Sequence, residues 1–300
     1  MAQQTQVVVL PFAERQALRD RMNAGAFEFR RVPHALFSVK GEGVVATLYK
    51  SGKFVVQGPD PGSFLARYTS VDASELAISV PKGASKPDEI ERLDVVTVGS
   101  DETGKGDFFG PLVVAAVRVT PEQVEAVRAE GITDSKKLTD PRALQLGAWI
   151  REHLPFALAV LDPEDYNRTY ASYRNLNPML ADLHAQAIRK LVQPKMRVVV
   201  DQFANERLMR EALEDTGVEL FQATKGERNP AVAAASIVAR QEFLVRLREL
   251  SERFDIELAK GAGAQVDRAG VNFARTHGID GLGQVAKMHF KTLDKVRAGL

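Results

Sequence analysis

The 300-residue chain contains no cysteine, which excludes disulfide bonds and metal sites built from thiolates. It also has no apolar run of about 18 residues, the length needed to cross a membrane, and no basic segment followed by an apolar leader. We therefore expect neither a membrane span nor secretion, and we expect a cytoplasmic protein. The formal net charge is only +1 at pH 7. Any affinity for nucleic acid must therefore come from where the charges lie rather than from their sum.

Apolar side chains make up 45% of the sequence, which is enough to bury a sizeable core, and the length allows two domains. The segment Pro81 to Pro87 is the one stretch with the composition of a linker. We therefore expect a first domain over residues 1–85 and a second over residues 90–300.

The first domain has the pattern of a small α+β unit. Helical stretches and short apolar strands are separated by turn residues. The predicted helices are 14–23 and 62–69, and the predicted strands are 27–29, 35–40, 44–49 and 54–57. Between Glu14 and Arg67 nine Lys and Arg residues exceed five Asp and Glu residues by four. So small an excess fits an ordinary solvated surface as well as a surface that binds nucleic acid.

The second domain mixes strands and helices, which predicts an α/β sheet with flanking helices. The predicted strands are 95–98, 112–119, 157–161, 198–200 and 218–222. The predicted helices are 121–130, 141–152, 177–192, 206–215 and 230–253. Because the first two strands are joined by a short turn through Gly110 and Pro111, they should be antiparallel, and the sheet should be mixed.

The first of these strands runs into a pair of acidic residues. Asp101 and Glu102 follow the apolar segment 95–98, and the turn Gly104-Lys105-Gly106 comes next. Adjacent carboxylates at the end of a core strand raise each other's pKa unless a positive group lies between them. A divalent cation is the simplest such group, since hard cations take carboxylate oxygens.

The segment Gly99 to Lys105 also fits the opening of a nucleotide-binding P-loop, Gly-x-x-x-x-Gly-Lys. Three features count against this alternative. The next residue is Gly106 rather than the Ser or Thr that binds Mg²⁺, and two acids would lie where phosphates bind. Residues 108–114 also predict a turn and a strand, whereas a P-loop must open a helix. A P-loop nucleotidase is therefore the weaker of the enzyme hypotheses.

A third acid, Asp201, ends the apolar strand 196–200. Asp after a strand is often a helix N-cap, but the carboxyl ends of neighbouring strands in an α/β sheet converge on one crevice. Beside Asp101 and Glu102, we favour a metal ligand over a cap. No two of the five histidines have the spacing of paired ligands, which favours an oxygen-only Mg²⁺ site over zinc.

The run Gly99 to Pro111 resembles the first motif of the type 2 ribonucleases H, Asp-Glu-x-Gly-x-Gly after a strand. Its longer form is similar to the ribonuclease HIII branch of that family. Asp201-Gln202-Phe203 resembles the segment of the third carboxylate. Lys225-Gly226-Glu227, before an Ala-rich helix, resembles the segment of the fourth, which is Glu in this branch. The resemblance implies that catalysis and metal binding belong to Asp101, Glu102, Asp201 and Glu227.

The resemblance also implies contacts with the substrate. In the family, the turn after the acids contacts ribose 2′-hydroxyl groups, and the motif similar to Asp134 to Leu138 lies near the substrate phosphates. The implied substrate-binding residues are Thr103, Gly104, Lys105, Gly106, Ser135, Lys136 and Lys137. From the residues alone, the first segment is a tight turn and the second is a turn that starts a helix.

Segments 260–263, 266–267 and 286–290 resemble the same branch, although the residues alone predict loop and helix surface there. No tyrosine follows Tyr173. The ribonuclease HII branch uses a C-terminal tyrosine to recognise a single embedded ribonucleotide, so this absence favours the ribonuclease HIII branch.

For the whole chain the family implies a ribonuclease H-like mixed sheet with flanking helices, an α/β fold. A small α+β domain similar to the TATA-binding protein would precede it and grip the duplex. The implied activity is endonucleolytic hydrolysis of the RNA strand of RNA–DNA hybrids by two-metal-ion catalysis, leaving 5′-phosphate and 3′-hydroxyl ends. Mg²⁺ is the implied cofactor with Mn²⁺ as a substitute, and we expect a monomer. The alternative is a non-catalytic protein that binds the duplex through its first domain.

Overall fold

The computed structural model describes residues 4–33, 35–69, 87–133, 135 and 138–300. The chain divides into two compact units, Met1–Lys82 and Gly83–Leu300. The segment predicted to be a linker, 81–87, lies outside the described residues except for Pro87. No helix among the described ranges is long and apolar enough to cross a membrane.

The first unit is an antiparallel sheet with two helices on one face. Its strands lie in the order β1-β5-β4-β3-β2. They are β1 (Gln4–Val9), β2 (Glu28–Arg30), β3 (Ala35–Gly41), β4 (Val44–Tyr49) and β5 (Lys53–Gly58), with helices α1 (Phe12–Ala24) and α2 (Pro61–Tyr68). Alternate strand residues such as Val39, Leu48 and Phe54 are buried with Leu18 of α1 and Phe64 of α2. The opposite sheet face is therefore left without a helix among the described residues.

The second unit is built on a mixed sheet with strand order β10-β9-β6-β7-β8. The strands are β6 (Thr97–Thr103), β7 (Leu112–Val119), β8 (Phe156–Leu161), β9 (Arg197–Asp201) and β10 (Glu219–Ala223). Strands β6, β7 and β8 pair antiparallel, whereas β9 pairs parallel with both β6 and β10. The first strand of the unit therefore becomes the centre of its sheet.

Helices cover both faces of this sheet. They are α3 (Pro87–Ile90), α4 (Val124–Ala129), α5 (Asp140–His153), α6 (Pro163–Tyr173), α7 (Leu176–Arg189), α8 (Glu206–Ala212), α9 (Pro230–Arg253), α10 (Ala264–His277) and α11 (Thr292–Ala298). On one face α7 packs against residues such as Val98. On the other, α9 lies so close to β6 that a Cβ atom at Gly99 would collide with the backbone of Ala231 and Val232. Glycine at this position is thus what allows the helix to approach the central strand.

The predicted α/β class and the small α+β unit before it are confirmed, and so are the mixed sheet and each predicted strand and helix. Several elements were missed: β1, α3, α6, α10 and α11. Strand β6 also continues to Thr103, so Asp101 and Glu102 lie within the strand rather than just beyond its end. The pairing of β6 with β7 explains the extension, since its ladder continues to Thr103 opposite Val113.

Candidate active site

The parallel pairing of β6 and β9 brings two of the predicted acids to corresponding positions. The last paired residues of the two strands are Ser100 and Val200, so Asp101 and Asp201 are the next residues along each strand. Neighbouring strands lie about 4.8 Å apart. Ser100 and Val200, the residues just before these acids, face α7. Because successive strand residues point to opposite faces, Asp101 and Asp201 both face the side of the sheet that α9 covers.

The loop that leads to α9 contacts Asp201. The backbone N–H of Gly226 donates a hydrogen bond of 2.8 Å to Oδ1 of Asp201. A Cβ atom at Gly226 would lie 3.1 Å from Cα of Asp201, so the loop backbone lies directly against β9. Glu227 follows in the short 3₁₀ turn Gly226–Arg228 and is half-buried. Asp201 is a strand residue bound by this loop, and the N-cap of the following α8 is Asn205, so the cap interpretation of Asp201 is wrong.

Glu102 faces the other side of the sheet, as the residue after Asp101 must. Its side chain is only 10% exposed, with Nε2 of His184 3.3 Å from Oε2 and Nζ of Lys105 3.6 Å from Oε1. Burial by itself raises the pKa of Glu102, but the hydrogen bond and charge of His184, together with Lys105, outweigh it. The net effect holds the pKa of this carboxyl below its ordinary value, so Glu102 is kept ionised.

His184, a residue of α7, was not predicted as a site residue. Ser100 donates its hydroxyl proton to the carbonyl of Ala115 (2.8 Å), and the same oxygen lies 2.7 Å from Nδ1 of His184. The Ser100 hydroxyl has one proton, so it accepts from Nδ1–H, and Nε2 then faces Glu102. The imidazole also stacks on Phe203, with ring centroids 4.8 Å apart.

The four predicted metal ligands are thus only partly gathered. Among the described residues, no group of three or more His, Asp or Glu side chains is close enough to hold a metal ion. Asp101 and Asp201 share one face with the Glu227 loop, whereas Glu102 is turned towards His184 and Lys105. The donor set consists of hard carboxylate oxygens, which fits Mg²⁺ or Mn²⁺. Binding an ion by three of them would require side-chain rotation.

The turn after the acids has the backbone that its glycines predict. Gly104 has φ +96°, and a Cβ atom there would collide with the carbonyl oxygen of Pro111. A Cβ atom at Gly106 would meet nothing within 4 Å, so the turn is open on that side. The ammonium of Lys105 lies 5.6 Å from the centroid of the Phe203 ring, besides its contact with Glu102. The turn therefore offers backbone to a ligand, while its lysine lies against the acid site.

Of the second predicted substrate-binding segment, the structure describes Ser135 and Leu138. Lys136 and Lys137 lie outside the described residues. Ser135 is buried, and its carbonyl accepts a hydrogen bond from the guanidinium of Arg240 in α9. Arg240 also pairs with Asp140 at 2.7 Å. The segment is therefore tied to α9, the same helix that follows the Glu227 loop.

For the C-terminal segment 286–290, the residues alone predicted loop and helix surface. This prediction is wrong. Ala286 and Lys287 are buried, and Nζ of Lys287 donates to backbone carbonyls of the loop after the Gly104–Gly106 turn. Burial lowers the pKa of Lys287 to about 7, against the opposing charge of Asp107. The one sequence feature that could have indicated this buried position is that Lys287 stands between the apolar residues Ala286 and Met288.

Comparisons with known proteins agree with this architecture. The family described as Ribonuclease HII matches residues 98–293, and a Domain of unknown function (DUF3378) matches residues 5–79. Ribonuclease HIII of Protochlamydia amoebophila is 37% identical over 93% of this chain and 92% of its own length. Ribonuclease HIII of Chlamydia felis is 36% identical over 93% of both chains. The crystal structure of Bst-RNase HIII in complex with Mn²⁺ is similar with a TM-score of 0.66 at 33% identity, covering 98% of both chains.

The fold and these matches define a metal-dependent endoribonuclease of the ribonuclease H class. Within that class, the chain belongs to the ribonuclease HIII family. Its activity is therefore cleavage of the RNA of RNA–DNA hybrids, and the P-loop nucleotidase and the non-catalytic duplex binder are set aside.

Proposed function

We propose that the protein hydrolyses the RNA strand of hybrids endonucleolytically by two-metal-ion catalysis, leaving 5′-phosphate and 3′-hydroxyl ends. The observation that carries this proposal is the register of β6 and β9, which places Asp101 and Asp201 side by side on the face reached by the Glu227 loop. Metal-dependent cleavage of an end-labelled hybrid tests it. Products with other ends, or cleavage that persists in EDTA, would contradict it.

In this proposal Asp101, Glu102, Asp201 and Glu227 bind the ions. Two Mg²⁺ ions, or Mn²⁺ in their place, would activate the attacking water and stabilise the leaving oxygen when bound. The protein contributes rigid placement: Asp101 is fixed by its strand pairing, and Asp201 by its strand pairing and the Gly226 N–H group. It also keeps Glu102 ionised through His184 and Lys105, since a carboxylate must be deprotonated to bind a metal.

Substrate recognition is proposed for two surfaces of the second unit. The turn of Gly104, Lys105 and Gly106, with Thr103 before it, would approach the RNA strand closely enough to contact 2′-hydroxyl groups, because Gly106 is open. Ser135, Lys136 and Lys137 would lie near phosphates. Phosphate contacts fix the position of the duplex, and the 2′-hydroxyl contacts distinguish RNA from DNA.

The first unit is proposed as a second binding module for the hybrid, similar in fold to the TATA-binding protein. Its helix-free sheet face carries exposed cationic side chains: Lys40 and Lys53 alternate with buried residues of β3 and β5, and Arg30 of β2 pairs with Ser38 of β3. Such cations give affinity for phosphates without sequence preference. We further propose that the protein acts as a monomer in the cytoplasm.

We expect His184→Ala to weaken Mn²⁺ binding or cleavage about 10- to 100-fold, as loss of a group that orients a metal ligand commonly does. The reason is that Glu102 loses the partner that holds its carboxylate. Mn²⁺ affinity by calorimetry and kcat on a hybrid measure the effect. His153→Ala, at an exposed histidine of α5, is the matched control. Unchanged Mn²⁺ affinity and kcat in the His184 variant would show that His184 only fills the core.

Substrate choice provides another expected outcome. Efficient cleavage should require several consecutive ribonucleotides, and DNA with one embedded ribonucleotide should be cut about one to two decades more slowly. The reason is that no tyrosine after Tyr173 can stack at a junction. Phe108 and Phe109 cannot replace that ring because both are fully buried. Rates are compared on duplexes with one and with four ribonucleotides. Equal rates would contradict the assignment, with half-buried Phe290 as the next ring to test.

A further inference from the structure

The Gly104–Gly106 turn is supported by the loop that follows it, residues 107–111. The N–H group of Asp107 donates to the carbonyl of Gly104 at 3.3 Å. Gly104 itself lies against the carbonyl oxygen of Pro111, so close that no side chain would fit between them. Any shift of this loop therefore moves the backbone that would face the substrate.

A strip of chain near the C-terminus, residues 285–287, holds the loop in place through the backbone. Phe109 and Ala286 form an isolated antiparallel bridge. The N–H of Gly110 donates to the carbonyl of Val285 at 2.9 Å, and the N–H of Lys287 donates to the carbonyl of Phe108 at 2.8 Å. The loop is thus paired with a segment about 180 residues away in the sequence.

The side chain of Lys287 completes this attachment. Its Nζ donates to the carbonyls of Asp107 at 2.9 Å and Gly110 at 2.7 Å, and lies 3.5 Å from that of Phe109. All three acceptors of this amino group are backbone carbonyls of the loop. A lysine that is fully buried is retained only where its donors are satisfied. The Lys287 side chain therefore contacts backbone carbonyls along most of the loop.

The C-terminal strip is in turn anchored to α6. The side-chain amide of Asn167 donates to the carbonyls of Gly283 at 3.2 Å and Ala286 at 2.9 Å. Its carbonyl oxygen accepts from the N–H of Met288 at 2.9 Å. Asn167 thus fixes the backbone on both sides of Lys287 without touching the loop through its own hydrogen bonds.

We propose that Lys287 is a positioning residue for recognition of the RNA strand: by holding loop 107–111 it sets the Gly104–Gly106 turn at the position where its backbone meets ribose 2′-hydroxyl groups. The inference rests on the proposed function of that turn. The hydrogen bonds of Lys287 Nζ go to the backbone of residues 107, 109 and 110, away from the proposed metal ligands, so its effect should fall on the choice of substrate and leave metal binding intact.

The test is Lys287→Met, which keeps a long unbranched side chain and removes the hydrogen-bond donors. We expect KM for an RNA–DNA hybrid to rise about tenfold, while the inhibition constant of an all-DNA duplex of the same sequence stays within about twofold of the parental value. Loss of a few hydrogen bonds to ligand accounts for a tenfold change. Mn²⁺ affinity should be unchanged. Lys291→Met removes an exposed lysine four residues further on and is the matched control.

Equal weakening of hybrid and DNA binding, or no change in either, would overturn the proposal. If Lys287→Met fails to fold, as judged by its thermal transition, Asn167→Ala decides the question. This variant loosens the strip that carries Lys287 and should reduce hybrid preference in the same direction by a smaller factor. Unchanged preference in a folded Asn167→Ala protein would then refute the proposal. A parental protein that does not cleave hybrids would refute the proposed function itself, so the two failures are distinguishable.

Discussion

Asp201→Asn is expected to reduce hybrid cleavage by at least about 10³-fold, which corresponds to about 4 kcal/mol of transition-state stabilisation. Asparagine keeps the shape of the side chain and an oxygen that accepts from the N–H group of Gly226. What it removes is the negative charge that the proposed metal site requires. The fold should persist, and the free energy of unfolding can even rise, because the repulsion between Asp201 and Asp101 is relieved. Single-turnover cleavage and a denaturation curve measure the two effects.

The matched control for this variant is Asp215→Asn. Asp215 lies in the same unit and forms an exposed ion pair with Arg189 at 2.6 Å, an interaction of small energetic value. The Asp215→Asn variant should cleave hybrids at the parental rate. Parental activity in Asp201→Asn would mean that the metal site is elsewhere, whereas loss of activity in both variants would indicate a general effect of charge.

Deletion of residues 1–82 is expected to weaken hybrid binding about 100-fold and raise KM, while kcat at saturating substrate changes little. Two modules on one duplex gain this much from being linked, and the first unit has its own buried core, with none of the proposed metal ligands. The slope of log affinity against log salt should also flatten by about one unit for each phosphate contact that is lost. Filter binding and steady-state kinetics across a salt series measure both.

Point substitutions refine this prediction without removing a domain. Lys40→Gln with Lys53→Gln neutralises two exposed cations on the helix-free sheet face, and should weaken binding and reduce the salt slope. Arg19→Gln neutralises an exposed residue of α1, on the other side of the unit, and is the control. If the truncated protein binds hybrids with unchanged affinity and salt slope, the first unit is not a binding module.

The locally encoded parts of the structure were predictable from the sequence. Apolar segments of strand length gave β6, β7 and β9, and the run Gly99 to Pro111 carried the family resemblance that the comparisons confirm. Helices α6 and α11 were not predicted, although each buries residues against the rest of the unit: Pro163 and Tyr166 in α6, and Leu293 and Val296 in α11. The assignments of individual site residues stay predictions until the variants are measured.

By itself, the sequence determined the family, the fold class and which acids to examine, because these depend on residue types within short segments. Only the tertiary structure decided which residues lie next to these acids. His184 meets Glu102 across 82 residues, and Lys287 meets Gly110 across 177. Such pairings are set by strand register and helix packing, which bring together residues whose separation in sequence carries no periodic signal. The same packing turned Phe108 and Phe109 into core residues and made Lys287 a buried support of the turn beside the acids.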